Sequence, residues 1–218
     1  MRANPRIAAG LIAAAVVAVV VLVLGARPPV APPITTDELG PDSGDRVPDY
    51  LARTGATLTG DQHRPRWALV TLKQGIAAAD VPEYAGGLRV SQVLLHVPID
   101  RVYTPVITVP VPDHPGAVRA AQDAAAGAMA AQKTEDDRSR RIAAVVASRL
   151  RSGCDCVVNL VVRGDLGGLR ALAAHSGVRS VEALPPDASA GAFAVRPLLP
   201  EQTDLVGPGS HDGVVPDR

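Results

Sequence analysis

The sequence predicts an α+β protein in which an N-terminal transmembrane helix is followed by one folded domain. Two observations carry this prediction. An uncharged apolar run occupies residues 7–26, and two later stretches, 67–98 and 156–185, each have the pattern of a strand, a short helix and a second strand. The 218 residues suffice for one domain of ordinary size with appendages. Aromatic residues make up only 2% of the chain, so we expect a core of small aliphatic side chains.

Residues 7–26 read IAAGLIAAAVVAVVVLVLGA, without a charged residue or a proline. A helix of this length spans about 30 Å, the thickness of the hydrocarbon layer, and in lipid a helix satisfies its own backbone. Arg2 and Arg6 precede the run and acidic residues follow Arg27, which predicts a cytoplasmic N-terminus at 1–6 and an extracytoplasmic remainder. A cleaved signal peptide is the alternative, although its apolar region is normally only about 7–15 residues long, and it exports the domain equally.

The regions after the apolar run differ in composition. Residues 27–66 are rich in proline and acidic side chains, which favours an extended, semi-rigid stalk. The alternative is a loop packed onto the domain, with Tyr50 and Leu51 docked against it. The strand and helix patterns are confined to residues 67–200, the predicted extracytoplasmic α/β domain. Residues 201–218 are polar and rich in glycine and proline, and we expect them to form a disordered tail.

The first half of the domain alternates strands with one short helix. Its expected elements are, in order, a buried strand, a short helix and a second strand: residues 67–74, 79–88 and 89–98. Residues 101–112 are rich in strand-forming residues but contain Pro105 and Pro110. Because proline has no N–H, we expect this piece to be an edge strand or a covering arm.

Residues 116–152 are expected to be helical, because alanine and valine residues recur there at helical spacing. A charged stretch at 133–141 interrupts the pattern, so the segment is either one long helix with a solvated middle or two helices. In the second case Thr134 and Asp137 resemble a capping box at the start of the second helix. Gly153 fits the residue that follows a helix C-terminus.

The second half opens with the most regular strand pattern, at residues 154–164. Its alternation places Cys156, Val158, Leu160 and Val162 on one face. A helix with an aspartate cap, a strand and a final short strand follow at residues 165–177, 178–185 and 193–200. Two βαβ units side by side give a ferredoxin-like arrangement of four antiparallel strands with helices on one face, here with a long helical segment inserted between the units.

A local resemblance agrees with this fold. Residues 166–187, LGGLRALAAHSGVRSVEALPPD, resemble the closing helix and strand of the propeptide and inhibitor modules of subtilisin-like proteases, which are ferredoxin-like domains. The similarity covers roughly 20 of the 218 residues and implies the fold, not inhibition. As a whole, the chain resembles the uncharacterised single-pass membrane proteins common in actinobacteria, a family with no motif to transfer.

Cys154 and Cys156 are the only cysteines, and they are the candidate site residues. An extracytoplasmic location permits a disulfide. In a regular strand, however, residues two apart lie about 6.5–7 Å from each other, so a bridge needs a local bend. Three interpretations stay open: a disulfide within the chain, a bridge between two chains, and two unbonded small hydrophobic residues with Cys156 in the core.

Other chemistry finds little support in the sequence. No pair among the histidines at positions 63, 96, 114, 175 and 211 has the spacing of metal ligands, and we expect no metal and no cofactor. No nucleotide-binding or hydrolase motif is present, and the glycines at 164–168 are interpreted as a tight turn because Asp165 would repel an anion. With 22 basic and 22 acidic side chains and few aromatics, nucleic-acid binding is not expected.

Three hypotheses on function follow. The first is a non-enzymatic, membrane-anchored interaction module that binds another envelope or membrane protein through a sheet edge or the helical segment. The second is an extracytoplasmic thiol–disulfide or other enzyme that uses Cys154 and Cys156. The third is a protease-inhibitor-like chaperone. The expected partners are the bilayer and a protein, and the sequence leaves the oligomeric state open.

Overall fold

The structure is a computed structural model that describes residues 37–114, 116–134 and 136–217. The predicted cytoplasmic N-terminus at 1–6, the predicted transmembrane helix at 7–26 and the first ten residues of the predicted stalk lie outside the described residues. In the part of the chain that is described, no helix is both long enough and apolar enough to cross a membrane.

Seven strands and five α-helices occur in the described residues. The strands are β1 (Glu38–Leu39), β2 (Arg66–Ile76), β3 (Arg89–Leu95), β4 (Ile107–Pro110), β5 (Val157–Gly164), β6 (Val178–Ala183) and β7 (Ala194–Val195). The helices are α1 (Val47–Thr54), α2 (Val81–Ala85), α3 (Ala117–Ala131), α4 (Asp137–Ser152) and α5 (Leu166–Ala173). A 3₁₀ helix at Gly55–Leu58 continues α1.

Five strands form one antiparallel sheet in the order β4-β3-β5-β2-β6, which confirms the expected α+β class. The strands β2 and β5 lie inside the sheet, and their apolar runs at residues 68–72 and 157–162 are buried, as their patterns predict. The strand β4 lies at one edge of the sheet. It belongs to the proline-containing stretch at 101–112, for which an edge strand or a covering arm is predicted. Pro110, its last residue, has no N–H and is tolerated there because it is at an edge.

The predicted alternation along β5 fails at one residue. Val157, rather than Val158, joins Cys156, Leu160 and Val162 in the large apolar cluster. The pairing of β5 with β3 shifts between Leu94 and Leu95, so the strand carries an irregularity at this point. A bulge of this kind inserts a residue and reverses the side-chain alternation.

The inserted segment consists of two helices, α3 and α4, rather than one long helix. Asp136, not Thr134, caps the second helix, because its side chain accepts a hydrogen bond from the Ser139 N–H (2.8 Å). Gly153 ends this helix with φ of 84°, as the sequence predicts. The alanine-rich face of α3 and the aliphatic face of α4 are buried against each other and the sheet, so the helices do not form a free arm.

The opposite face of the sheet is covered as well. Leu69, Leu94 and Val161 point to this face and form a second apolar cluster with Leu39 and Leu184. The cover comes from segments on either side of the main sheet in sequence. Their strands β1 and β7 pair in parallel as a separate two-stranded sheet. The predicted strand at 193–200 is therefore only two residues long in the structure and does not belong to the main sheet.

The folded unit begins before residue 67, where the domain is predicted to begin. Leu39 is fully buried, and Val47 and Tyr50 are each 1% exposed. Residues 37–66, predicted to belong to the stalk, thus contain α1 and pack on the domain. The reason is that the apolar side chains of this proline-rich stretch complete the second face of the sheet.

The folded unit also continues past residue 200. Val206 is 8% exposed and packs with Leu198 and Val47. Farther along, the Gly213 N–H donates to the Arg101 carbonyl (2.7 Å). Residues 201–217, which are predicted to be a disordered tail, contain no helix or strand in the structure but lie along the domain with these contacts.

Candidate functional site

A wide concave surface lies beside the end of β3, and we call it the His96 groove. Its walls are the loop 98–106, which joins β3 to β4, and the C-terminal segment 196–210. The volume is about 980 Å³, within the range of ordinary ligand sites. Its apolar lining includes Ile99, Val102, Val106, Pro197, Leu199 and Val206.

The loop wall of the groove follows from its sequence. Pro98 ends the strand pairing, and the chain turns back at once, with the Val102 N–H donating to the Ile99 carbonyl (3.0 Å). Arg101 sits in this turn with φ of 54°, the only described non-glycine residue with a positive φ. The turn leaves Val102 buried and Tyr103 exposed, so the tyrosine stands on the rim of the groove.

His96 lies at the base of the groove and is 5% exposed. Its Nε2 is 2.9 Å from the Glu201 Oε1, and its Nδ1 is 3.5 Å from the Thr104 hydroxyl. Since the carboxylate can only accept, Nε2 carries the hydrogen of this bond. The Thr104 hydroxyl donates its hydrogen to the Val97 carbonyl (2.7 Å), so it is not a donor to Nδ1.

Glu201 is the only acidic partner of this histidine in the described residues. Burial by itself raises the pKa of Glu201, but the hydrogen bond and the charge of His96 outweigh it, and the net pKa is lowered. The pair joins the end of β3 to the C-terminal segment across 105 positions of sequence. It therefore holds the two walls of the groove together.

Large apolar side chains stand on the groove rim. Tyr103 and Leu205 are each 58% exposed, and both line the groove. Among the described residues only Val214 is a further large hydrophobic with such exposure. Exposed aromatic and aliphatic side chains next to a cavity are typical of surfaces that bind a partner.

Charged side chains of both signs surround the groove. Arg101 pairs with Asp212, and Arg196 pairs with both Glu38 (2.9 Å) and Asp42. The hydrogen bond from Arg101 holds the pKa of Asp212 below its ordinary value, so Asp212 stays ionised. Asp100 and Asp204 also line the groove, and the described residues offer no side-chain partner to either. Arg149 and Arg179 donate to backbone carbonyls of lining residues, at Pro98, Leu199 and Gln202.

The described residues contain no group of three or more histidine, cysteine, aspartate or glutamate side chains placed to hold a metal ion. The buried His96 is held at Nε2 by Glu201.

Cys154 and Cys156 form a disulfide within the chain in the structure, on the helix side of the sheet. The chain bends here, since the Cys156 N–H donates to the Cys154 carbonyl (2.9 Å) and the two Cα atoms are 5.2 Å apart. Gly75 makes room for the bend, because a Cβ at this position would overlap the Asp155 carbonyl. Cys156 is 2% exposed, so its sulfur is not accessible to a substrate.

The other histidines do not gather into a site. His63 and His114 are exposed in loops, and His175 stacks against Tyr84 at the end of α5 with ring centroids 4.8 Å apart. His211 accepts a hydrogen bond from the Tyr103 N–H (3.0 Å) at the edge of the groove. The sequence gives no signal for Glu201 as the partner of His96, because the segment that contains it has no periodic pattern.

No protein-family model matches the chain, and neither the curated proteins nor the solved structures give a match. The resemblances noted for residues 166–187 and for the whole chain therefore remain predictions.

Proposed function

We propose that this protein is a membrane-anchored, extracytoplasmic interaction module without enzymatic activity, and that it binds another envelope or membrane protein through the His96 groove. Residues 7–26 are the anchor, and the N-terminus at 1–6 is cytoplasmic. The Cys154–Cys156 disulfide supports the location, because such bonds persist in oxidising compartments.

The fold is proposed to be ferredoxin-like with an inserted helix pair. The strands β6, β2, β5 and β3 lie in the spatial order that two βαβ units give, and α3 and α4 stand between the two units in sequence. This fold hosts many functions, so the assignment of function rests on the groove.

The observation that carries the proposal is the exposure of Tyr103 and Leu205 on the rim of the His96 groove. A soluble domain seldom leaves such side chains on a concave surface unless they contact a partner. Tyrosine contributes a large apolar area with one polar end and is enriched among the residues that dominate interfaces.

The first experiment tests the anchor. Full-length protein is expected in the membrane fraction after an alkaline carbonate wash, and it should be released only by detergent. The domain should be cleaved by protease added outside the cell membrane. Full-length protein that washes into the cytosolic fraction would refute both the anchoring and the location.

The second experiment tests the groove. Tagged full-length protein is recovered from detergent-solubilised envelopes, and the double variant Tyr103→Ala/Leu205→Ala is expected to recover the partner at least tenfold less, the loss typical of two interface anchors of about 1 kcal/mol each. A variant of the exposed helical face, Asp123→Ala, serves as the matched control. Equal recovery by all three proteins would exclude the groove.

The thiol-enzyme alternative is tested by mass spectrometry of the alkylated protein. A disulfide protects both cysteines from alkylation until a reductant is added, and the buried Cys156 is expected to react only after unfolding.

The protease-inhibitor alternative predicts that the purified protein slows a subtilisin-like protease, whereas our proposal predicts no inhibition.

A further inference from the structure

We infer that the partner of the His96 groove is an extended, positively charged segment of another protein, which adds as a strand to the open edge of β4. This inference rests on the proposed function, because it names the partner of the same groove. Two independent features carry it: the orientation of the backbone of β4 and the charges around the groove.

The backbone of β4 alternates in a way that the hydrogen bonds define. The Val111 N–H donates to the Ser91 carbonyl (2.7 Å), so Val111 faces β3. In an antiparallel pair every second residue faces the neighbouring strand. Val109 and Ile107 therefore face β3 as well, and the N–H and C=O of Thr108 point away from the sheet.

The side to which Thr108 points is open in the described structure. β4 is the last strand of the sheet, and the Thr108 side chain is exposed. Pro110 has the same backbone phase as Thr108 but no N–H to donate. An added strand is therefore expected to pair at Thr108 and to end near Pro110, since edge strands with unpaired N–H and C=O groups readily accept another strand.

The open edge continues into the groove. Val106, which lines the groove, lies two residues before Thr108 and directly before β4. A segment paired along the edge of β4 is thereby led past Val106 toward Tyr103 on the groove rim. The pairing edge and the apolar rim thus form one continuous binding surface.

The charges select the kind of segment. Asp100 and Asp204 line the groove, and no side-chain partner is found for either in the described residues. Of the lining arginines, Arg101 pairs with Asp212, and Arg196 pairs with Glu38 and Asp42. Arg149 and Arg179 donate to backbone carbonyls of the groove wall, so the expected attraction comes from the two unpaired carboxylates and not from a net charge of the groove. Lysine or arginine side chains of a bound segment are expected to pair with these carboxylates, which discriminates against acidic segments.

The test uses full-length protein in detergent and a fluorescein-labelled peptide of alternating lysine and valine, about six residues long like a typical strand. Binding is followed by fluorescence anisotropy. The peptide is expected to bind at least about tenfold more tightly than one with glutamate in place of lysine, and the difference should shrink as salt is added.

Two changes test the strand pairing. Thr108→Pro removes the outward N–H and is expected to weaken binding roughly tenfold, while Thr108→Ala keeps this N–H and should bind within about twofold of the original protein. Because Pro110 already occupies the same phase, the substitution is compatible with the strand. A peptide with N-methylated valines tests the same bond from the other partner without altering the protein, and its binding should fall by a similar factor.

The double variant Asp100→Asn/Asp204→Asn tests the charge. It is expected to weaken binding of the lysine peptide at least threefold and to leave binding of the glutamate peptide unchanged or stronger. Equal binding of the two peptides, or full binding by both Thr108→Pro and the N-methylated peptide, would overturn the inference. If that happens while Tyr103→Ala/Leu205→Ala still loses the cellular partner, the proposed function stands and only the nature of the segment is refuted.

Discussion

Two glutamates on the same side of the sheet, Glu182 and Glu201, differ in the groups that donate hydrogen bonds to them. In the first region, which we call the clasp (Gly40, Tyr50 and Glu182), the Glu182 Oε2 accepts hydrogen bonds from the Gly40 N–H (2.6 Å) and the Tyr50 hydroxyl (2.9 Å). In the second region, the His96 groove, Glu201 accepts from an imidazole that can carry a charge. The clasp closes the fold, whereas the groove stays open to solvent.

The pKa values of the two carboxyl groups shift in opposite directions. Burial raises the pKa of Glu182, and hydrogen bonds from two neutral donors offset only part of this effect. The pKa of Tyr50 is raised far above its ordinary value by burial and by Glu182, so the phenol stays a neutral donor. The pKa of Glu201 is lowered on balance because His96 outweighs burial. Partner chemistry, rather than burial alone, decides which carboxylate is stabilised as an anion.

The largest expected difference between the two regions is in the loss of stability when a tyrosine of each is truncated to alanine. Tyr50→Ala removes a side chain that is 1% exposed and is expected to lower the free energy of unfolding by about 3–5 kcal/mol, because it leaves a cavity and removes a donor from Glu182. Tyr103→Ala, at 58% exposure, should change it by less than about 0.5 kcal/mol. Chemical denaturation of both variants measures the difference, and equal losses would contradict the division into clasp and groove.

The disulfide provides a control that belongs to neither region. It closes a loop between residues only two apart, so Cys154→Ser/Cys156→Ser is expected to cost roughly 1–2 kcal/mol by the loop-closure relation. Because the bond lies on the helix side of the sheet, partner recovery through the groove should be unchanged. A loss of partner binding in a folded double variant would show that the cysteines contribute to function directly.

The smallest expected effects are in the pH dependence of stability. For Glu182 the folded pKa is raised, so the stabilisation is complete below its ordinary value of 4.5 and is lost as the pH rises through the folded pKa. For Glu201 the folded pKa is lowered, so the stabilisation is present above 4.5 and is lost as the pH falls through the folded pKa.

The variants Glu182→Gln and Glu201→Gln measure how much each carboxyl group contributes to the pH dependence of stability. Relative to the original protein, Glu182→Gln should gain stability as the pH rises from acid to neutral, and Glu201→Gln should lose it, each by less than about 1 kcal/mol for partly exposed carboxylates. Urea denaturation at several pH values gives both trends. Trends of the same sign in the two variants would contradict the opposite pKa shifts.

Much of the main sheet is predictable from sequence because its strands and helices are periodic. The patterns at 67–98 and 156–185 predict β2, β3, β5 and β6 to within a few residues. Gly153 is likewise identifiable as a helix terminus, since a positive φ favours glycine. These features depend on local spacing, which the sequence displays directly.

The second cover of the sheet and the groove are not predictable in this way. Leu39 and Leu198 are isolated apolar residues in proline-rich surroundings, and their burial depends on contacts with distant segments. His96 and Glu201 are 105 positions apart, and no pattern connects them. The bend at Cys154 and Cys156 similarly depends on Gly75 in another strand. Composition carries no information on such contacts. For this reason it predicts a stalk at 27–66 and a disordered tail at 201–218, although described residues of both segments pack on the domain.

The most direct test of the central claim is photocrosslinking in living cells. A photoreactive amino acid is placed at position 103 on the rim of the groove, or at position 123 on the exposed face of α3 as a control. The account predicts a discrete crosslinked protein from position 103 and none from position 123. An adduct from position 123 alone, or no adduct from either position in cells that produce the protein in its normal amount, would contradict it.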